Sequence, residues 1–275
     1  MTFSVDQIPV VRMEDKLGFQ YIEKTVIYVK DNALVLGRKD GRKDRLCTAG
    51  LACLLLGAGT SISRDAIKLV SDQNCGILWC GKRGMSMYTV GLNTNSSMKN
   101  AKTQIERITN NRFSLWRKLF FKREISYKDT DNVKELLLIE ATHMKRKYEE
   151  MSNRYGLKWN GRVPQVSKMD PSDTLNYAIT ICNMALYGVA TACICGMGYL
   201  PQFGIIHGSG ATPLSYDLAD TVKTYTTIPI AMEYVSSHSE VDINELLSIL
   251  SAKLNEVNVT KTFTETLVML FQKNL

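Results

Sequence analysis

The first part of the chain consists of short apolar or alternating runs that turn residues separate. Six runs have the length of a strand: FQYIEK, TVIYVK, ALVLGR, LACLLLG, GILWCG and SMYTVG. Asp-Asn and glycine-containing turns divide them, which is typical of β-rich structure. Between the fourth and fifth runs, SRDAIKLVSDQ predicts one short helix with Ser63 as its N-cap. We therefore predict a small N-terminal β-rich domain over residues 1–92.

The apolar spacing becomes helical after a polar segment, GLNTNSSMKN, which we interpret as a linker over residues 91–100. Ile105, Ile108 and Leu115 then recur at helical spacing with basic residues between them. Four more segments predict helices: NVKELLLIEATHMKRKYEEMSNRYG, DPSDTLNYAITICNMALYGV, DINELLSILSAKLNEV and FTETLVMLFQK.

Helix signals lie at the ends of two of these segments. The first is expected to end near Gly156, and the second to begin at Ser172 or Asp173 as its cap. The fold class predicted from these patterns is α+β, with the β-rich domain followed by a larger all-α catalytic domain over residues 93–275.

One uncharged stretch, AITICNMALYGVATACICGMGYL from Ala178 to Leu200, is long enough to span a membrane. Its residues are mainly Ala, Thr, Cys and Gly rather than Leu, Ile and Phe, and no Lys/Arg cluster lies immediately at either end. A helix that other helices cover on all sides explains the same composition. We therefore expect a buried central helix and no membrane span.

The net charge of +7 fits a polyanionic partner such as nucleic acid or an anionic membrane surface. The seven cysteines include no pair with the C-x-x-C spacing of a zinc ribbon, and most lie within apolar runs. We interpret them as reduced core residues of a cytoplasmic protein.

Candidate chemistry is concentrated in FGIIHGSGATPLSYDLAD. Asp217 and Asp220 are three residues apart, so on a helix they share one face, and carboxylates that close favour a divalent cation. His207 lies before flexible glycines and could reach the same ion. The alternative is an exposed acidic pair with a packed or surface histidine. Glu140, in LLLIEATH, is a candidate third acid, and its alternative is an ion pair within its own helix.

The segments LLLIEATHMKRKY, YGLKWNGR, ALYGVATA and GYLPQFGIIHGSGATPLSYDLADTVK together resemble the integrase of CRISPR adaptation. This is the large, metal-dependent subunit that inserts new spacers into a CRISPR array, and the resemblance is nearest to the type I-E branch. It extends into the N-terminal half, through LACLLLGAGTSISRDAIKLVSDQNCGILWCGKRGMSMYTVG. One position departs from the family pattern, since Ala141 stands where the family usually has glycine.

The resemblance implies a site in which Glu140, His207 and Asp220 bind Mg²⁺ or Mn²⁺. It places Asp217 beside them, where it would assist proton removal or bind a transient second metal ion. Tyr21 is placed where the family stacks a tyrosine on the end of a DNA duplex. The remaining DNA contacts that we predict are the basic residues from Lys99 to Arg123, and Lys68, Arg112, Arg117, Lys145, Arg146, Arg162, Tyr187, Tyr216 and Lys223.

The activity that the resemblance implies is DNA integration, with DNA endonuclease activity. A 3′-hydroxyl of a captured double-stranded fragment attacks a phosphodiester at the edge of a CRISPR repeat. The resemblance further implies a homodimer formed through the β-rich domain and a higher complex with a small ferredoxin-like adaptation subunit. Two alternatives stay open: a metal-dependent nuclease of branched or single-stranded DNA, and a non-catalytic DNA-binding structural protein.

Overall fold

Two four-stranded sheets form the N-terminal part of the protein. The structure is a computed structural model, and it describes residues 11–80, 87–90, 98–163 and 173–272. Its strands are Leu17–Ile22 (β1), Thr25–Lys30 (β2), Ala33–Arg38 (β3), Lys43–Leu46 (β4), Leu51–Leu56 (β5), Ser61–Ile62 (β6), Gly76–Cys80 (β7) and Met87–Val90 (β8).

The first sheet has the order β1-β5-β7-β8, in which the first three strands are parallel and β8 is antiparallel to β7. Strand β5, LACLLL, is buried along its whole length because both of its faces are covered. Cys53 and Leu55 face the core shared with the helices. Leu54 and Leu56 face a smaller core that includes Ile27 of the second sheet, whose order is β4-β3-β2-β6.

Eight α-helices account for most of the rest of the described chain. They are Arg64–Asp72 (α1), Met98–Lys122 (α2), Val133–Arg154 (α3), Thr174–Gly196 (α4), Pro213–Ala219 (α5), Thr227–Ser237 (α6), Ile243–Glu256 (α7) and Val259–Phe271 (α8). Helix α2 consists of two helical segments that meet at Asn111, whose φ of −137° is not helical. The predicted order, a β-rich part followed by a helical part, is confirmed.

Helix α4 is the centre of the larger core. It packs against α5, α6, α7 and α8 on the helical side and against β5 and β7 of the first sheet. By length and composition α4 could cross a membrane, but 89% of its most apolar window is buried inside the protein. The prediction of a covered central helix is therefore confirmed, and the same helix joins the two parts of the chain into one core.

Three helix ends occur where the sequence signals predicted them. The Ser63 side chain accepts a hydrogen bond from the Ala66 N–H at the start of α1, and Asp173 caps α4 in the same way through Asn176. At the end of α3, Gly156 has a φ of +66°, a left-handed conformation that glycine adopts without steric cost.

Other parts of the fold differ from the expectation. Strands β4 and β6 and helices α5 and α6 were not predicted, because they are short or carry apolar residues without a clear period. Residues 91–97 of the predicted linker lie outside the described residues, and residues 98–100 belong to α2. The domain boundary after residue 92 stays a prediction.

The cysteines of the described chain are all free thiols. Five are buried, Cys80 is half-buried, and Cys47 is exposed, which corrects the expectation that the cysteines lie in the core. Burial raises the pKa of the Cys75 thiol to about 12, so this group stays protonated at neutral pH.

We expect Gly188→Val to destabilise the protein, because α4 lies directly against the first sheet at this residue. A Cβ atom at Gly188 would lie 2.8 Å from Cδ2 of Leu78 and 3.1 Å from Cδ2 of Leu55. Overpacking of this kind costs about 1–3 kcal/mol in the free energy of unfolding, measurable by urea denaturation. Gly50→Val is the control, since nothing lies within 4 Å of its added Cβ. Equal losses in the two variants would contradict the close packing of α4.

Candidate active site

The segment that carries His207 is held by side chains of α2. Gln104 is fully buried and pairs with the backbone of Leu200 in both directions, at 2.8 Å each way. Beyond the kink in α2, Nε of Arg112 donates to the carbonyl oxygen of Ile205 at 2.8 Å. These bonds satisfy backbone groups of an irregular segment that no sheet or helix would otherwise pair. The position of His207 therefore depends on α2.

Asp217 fixes the same segment from the other side. It lies on α5, which begins at Pro213, and its side chain has no solvent exposure. Its carboxylate accepts the backbone N–H groups of Ile205, Ile206 and His207 and also contacts Nδ1 of the His207 ring at 2.7 Å. Both carboxylate oxygens thus accept hydrogen bonds from the 205–207 segment.

These contacts give Asp217 a structural part that the sequence did not predict. Proton removal and a second metal ion at Asp217 stay predictions. Its observed contacts are those of a residue that positions His207.

His207 is oriented by this contact. Asp217 engages Nδ1, so Nε2 is the ring nitrogen left for another partner, an arrangement common for histidines that bind metal ions. Burial lowers the pKa of His207, but the hydrogen bond to Asp217 and the charges of Asp217 and Asp220 outweigh it, and the pKa is raised overall. The side chain remains 36% exposed, so its free edge is accessible.

Asp220 follows the last residue of α5 and is 6% exposed. The buried ammonium of Lys223 forms an ion pair with its Oδ1. The same ammonium donates to the hydroxyl of Tyr187 at 2.6 Å, and the ring of Tyr216 packs edge-on against Tyr187. Burial raises the pKa of Asp220. The charges of Lys223, Arg123 and His207 together lower it by more, so the pKa is lowered overall.

Glu140 reaches the site from α3. Its Oε1 lies 2.6 Å from a terminal nitrogen of Arg123, and the other terminal nitrogen of Arg123 lies 3.9 Å from Oδ2 of Asp220. One guanidinium therefore connects the two carboxylates, although 80 residues separate them in sequence. The Arg123 side chain is only 2% exposed, which corrects its inclusion among the surface DNA contacts.

The predicted ligands Glu140, His207 and Asp220 thus lie in one neighbourhood: Arg123 lies beside both carboxylates, and His207 is near enough to Asp220 for their charges to interact. Within the described parts of the chain, however, no three acidic, histidine or cysteine side chains form a ready-made metal cluster. Arg123 and Lys223 form ion pairs with the two carboxylates. The metal ligands therefore stay a prediction.

The predicted DNA contacts fall into two groups. Four are exposed or partly exposed and pair with acidic neighbours on the surface, which leaves them accessible to phosphate. These are Lys68 with Asp72, Arg117 with Asp129 and Asp131, Lys145 with Glu149, and Arg146 with Glu150.

The second group has internal contacts. The guanidinium of Arg162 donates to the carbonyl of Val163 and to the side chains of Asn176 and Thr180, which ties the chain before α4 to that helix. Arg112 is engaged with Ile205, as described above. The half-buried Tyr21 donates to Glu23 at 3.0 Å and lines a cavity of about 680 Å³ between β1 and α7.

The sequence did not single out Arg123 or Gln104 as site residues. Arg123 is one of many basic residues in the α2 segment, and charge alone does not distinguish a buried cation from an exposed one. Gln104 occupies a position between apolar residues of the helical pattern, which was its only signal. The role of Gln104 depends on how α2 packs against the 197–207 segment, and that of Arg123 on how the end of α2 meets Glu140 and Asp220.

Comparisons with known proteins point to one family. The family model described as CRISPR associated protein Cas1 matches residues 117–240. CRISPR-associated endonuclease Cas1 2 of Chlorobaculum tepidum is 31% identical over 223 residues, which cover 80% of this chain and 75% of that protein. CRISPR-associated endonuclease Cas1 of Escherichia coli K12 is 28% identical over 231 residues, with 81% and 74% covered.

Two solved structures share the fold. The chain matches TtCas1 in its complex with DNA at a TM-score of 0.80 and 24% identity, covering 93% of this chain and 92% of that one. A casposase bound to its integration product matches at a TM-score of 0.75 and 14% identity, with 94% and 91% covered. The β-rich part followed by helices is thus common to these proteins.

We expect Asp217→Asn to lower the pKa of His207 and to destabilise the fold. Without the carboxylate charge, burial dominates, so the pKa should fall from above to below its ordinary value of about 6.5. Loss of charge-assisted bonds should reduce the free energy of unfolding by about 1.5–3 kcal/mol. NMR titration of the imidazole and urea denaturation measure the two effects. Asp129→Asn, at an 87% exposed carboxylate, is the control. An unchanged His207 pKa would show that Asp217 does not position the ring.

Proposed function

The chain belongs to the Cas1 family of CRISPR-associated endonucleases, and we propose that it is a metal-dependent DNA integrase that inserts captured fragments into a CRISPR array. The observation that supports this proposal most directly is the neighbourhood of Glu140, His207 and Asp220. All three lie within the residues that the family model matches. Buried carboxylates beside an imidazole are the groups that phosphoryl transfer with a divalent cation requires.

The side chains present fit a divalent cation. Carboxylate oxygens of Glu140 and Asp220 suit Mg²⁺ and Mn²⁺, and an imidazole nitrogen tilts the preference towards Mn²⁺. Nε2 of His207 is available because Asp217 engages Nδ1. A cation bound by these residues would supply Lewis-acid stabilisation of the charge that develops on the phosphate.

The residues around this set keep it in place. Asp217 holds His207, and Arg112 and Gln104 hold the segment that carries it. Lys223 is fixed between Asp220 and the Tyr187 hydroxyl. Its positive charge would therefore have a defined position from which to stabilise a scissile phosphate. Tyr216 packs against the rings of both Tyr187 and His207 and helps to hold these two side chains in position.

The proposed reaction is a transesterification. The 3′-hydroxyl oxygen of a captured fragment forms a bond to a phosphorus atom at the edge of a repeat. The bond from that phosphorus to the 3′-oxygen of the repeat strand breaks, and the released 3′-oxygen takes up a proton. No water is consumed, and one phosphodiester replaces another. Two such events, one on each strand, insert the fragment.

The DNA is proposed to lie along exposed basic residues near the site. Lys145 and Arg146 follow Glu140 by one to two turns on α3, and each forms an ion pair with an exposed glutamate. Surface pairs of that kind are weak, so a phosphate can replace the glutamate. Such contacts carry little sequence information, which suits the capture of unrelated fragments. Tyr21, at the cavity beside β1, is proposed to meet a duplex end.

Partners and location follow from the family resemblance. We propose a homodimer formed through the two-sheet part, and a higher complex with a small ferredoxin-like adaptation subunit. The structure of TtCas1 with DNA supports DNA as a partner, and we propose that this DNA is double-stranded. A cytoplasmic location and a type I-E assignment are proposed on the same basis.

A second candidate function is a metal-dependent nuclease of branched or single-stranded DNA. The names of the relatives, which are CRISPR-associated endonucleases, favour it. It would use the same residues, with water in place of the 3′-hydroxyl.

We expect His207→Ala to abolish strand transfer of a labelled duplex into a repeat-bearing plasmid. Loss of one cation ligand removes several kcal/mol of transition-state stabilisation, so the rate should fall by at least about 100-fold. His238→Ala is the matched control, because His238 lies in the turn after α6 and stacks on Tyr234. Cleavage of branched DNA without any strand transfer by the wild type would favour the nuclease. Unchanged transfer by His207→Ala would exclude the proposed site.

We expect the double variant Lys145→Ala/Arg146→Ala to bind duplex DNA more weakly and with a smaller dependence on salt. Each lost phosphate contact reduces the slope of log K against log [salt] by about 0.9, so the slope should change by about 2. Fluorescence anisotropy at several salt concentrations measures it. Lys261→Ala, an exposed lysine on α8, is the control. An unchanged slope would place the DNA elsewhere.

A further inference from the structure

Arg123 is held rigidly by the way α2 ends. The residue after it, Glu124, has a φ of +55°, and the N–H of Ile125 bonds to the carbonyl of Phe120 at 2.9 Å. The N–H of Glu124 bonds to Phe121 at 3.1 Å, which completes a Schellman termination. Arg123 is thus the C-cap of a helix, where the helix dipole favours a positive charge. Its side chain projects from this fixed end into the site.

The two arms of the guanidinium are used differently. The arm towards Glu140 forms a short, charge-assisted bond of 2.6 Å. The arm towards Asp220 lies at 3.9 Å, beyond hydrogen-bond distance, and within the described chain it has no hydrogen-bond partner. A buried donor without a partner is costly. The contact with Asp220 is therefore the weaker of the two.

Around Arg123, two carboxylates lie against two cations. The carboxylates of Glu140 and Asp220 contribute two negative charges, and Arg123 and Lys223 contribute two positive charges. A divalent cation bound by the same carboxylates would lie close to the positive charge of the Arg123 guanidinium. Because the site is buried, repulsion between the two cations is screened less than on the surface.

We propose that Arg123 is a positioning residue. In the protein without metal, its positive charge offsets the carboxylates of Glu140 and Asp220, as the divalent cation would. Arg123 keeps Glu140 and Asp220 together before metal binding, releases Asp220 when the cation binds, and retains Glu140. Its charge weakens the affinity of the site for the cation. This inference rests on the proposed function, because it takes Glu140 and Asp220 as metal ligands.

The test compares Mn²⁺ binding by the full-length wild type, Arg123→Met and Arg123→Lys, with free Mn²⁺ measured by electron paramagnetic resonance. Arg123→Met keeps much of the volume and removes the charge, so Mn²⁺ should bind at least about threefold more tightly. Arg123→Lys keeps the charge and should bind within about twofold of the wild type. A residue that only supported the fold would give the opposite result, weaker binding when it is lost.

Stability in the absence of metal provides the second readout. Arg123→Met should lower Tm, because Glu140 loses its counter-charge and Asp220 keeps only Lys223. Adding Glu140→Gln to Arg123→Met should restore part of the loss, whereas adding Glu149→Gln, at an exposed glutamate of the same helix, should not. If Arg123→Met is unfolded without metal, refolding on addition of Mn²⁺ supports the proposal, and failure to refold overturns it.

Two further variants separate this proposal from the proposed function. Glu140→Gln and Asp220→Asn in the wild-type background should each weaken Mn²⁺ binding. If they do, but folded Arg123→Met binds Mn²⁺ no more tightly than the wild type, the role of Arg123 is refuted and the metal ligands stand. If neither variant changes Mn²⁺ binding, Glu140 and Asp220 are not ligands, and both proposals are refuted.

Discussion

The burial of negative charge is the constraint on which this structure depends. Asp217, Asp220 and Glu140 have little or no exposure, and a carboxylate removed from water is costly unless donors or cations compensate it. Each is compensated in its own way: Asp217 by N–H groups of the 205–207 segment, Asp220 mainly by Lys223, and Glu140 by Arg123. Because these partners come from different elements, satisfying the three charges fixes how α2, α3, α5 and the His207 segment meet. Stability and the site's geometry therefore arise from the same contacts.

The helices and the sheet around Glu140, Asp217 and Asp220 explain why these carboxylates can be held close to one another. Helix α4 is buried by helices on one side and by the first sheet on the other, so it provides a rigid surface on which α5 and α6 pack. Helix α2 lies against the segment before α5 and holds it through Gln104 and Arg112. A site assembled from a helix end, an irregular segment and two further helices can be precise only if each is anchored independently.

The sequence predicted much of this architecture but not its internal pairings. Periodicity identified the β-rich part, α3, α7 and the buried α4, and cap residues such as Ser63 and Asp173 were found from local chemistry that operates within one turn. Glu140, His207 and Asp220 were proposed from spacing and resemblance, and the structure brings them into one neighbourhood. The burial of Arg123 and the four hydrogen bonds to Asp217 could not be predicted, because they depend on contacts between segments far apart in the chain. For the same reason Arg162, predicted to face DNA, was not recognised as an anchor of the segment before α4.

We propose that Glu140, His207 and Asp220 converge on one divalent cation. Crystals of the wild-type protein soaked in Mn²⁺, with anomalous data collected near the manganese absorption edge, test this claim most directly. The expected result is a single strong anomalous peak bonded to a carboxylate oxygen of Glu140, to Nε2 of His207 and to a carboxylate oxygen of Asp220. It would be contradicted by a saturating soak that gives no peak there, with Arg123 still lying between the two carboxylates.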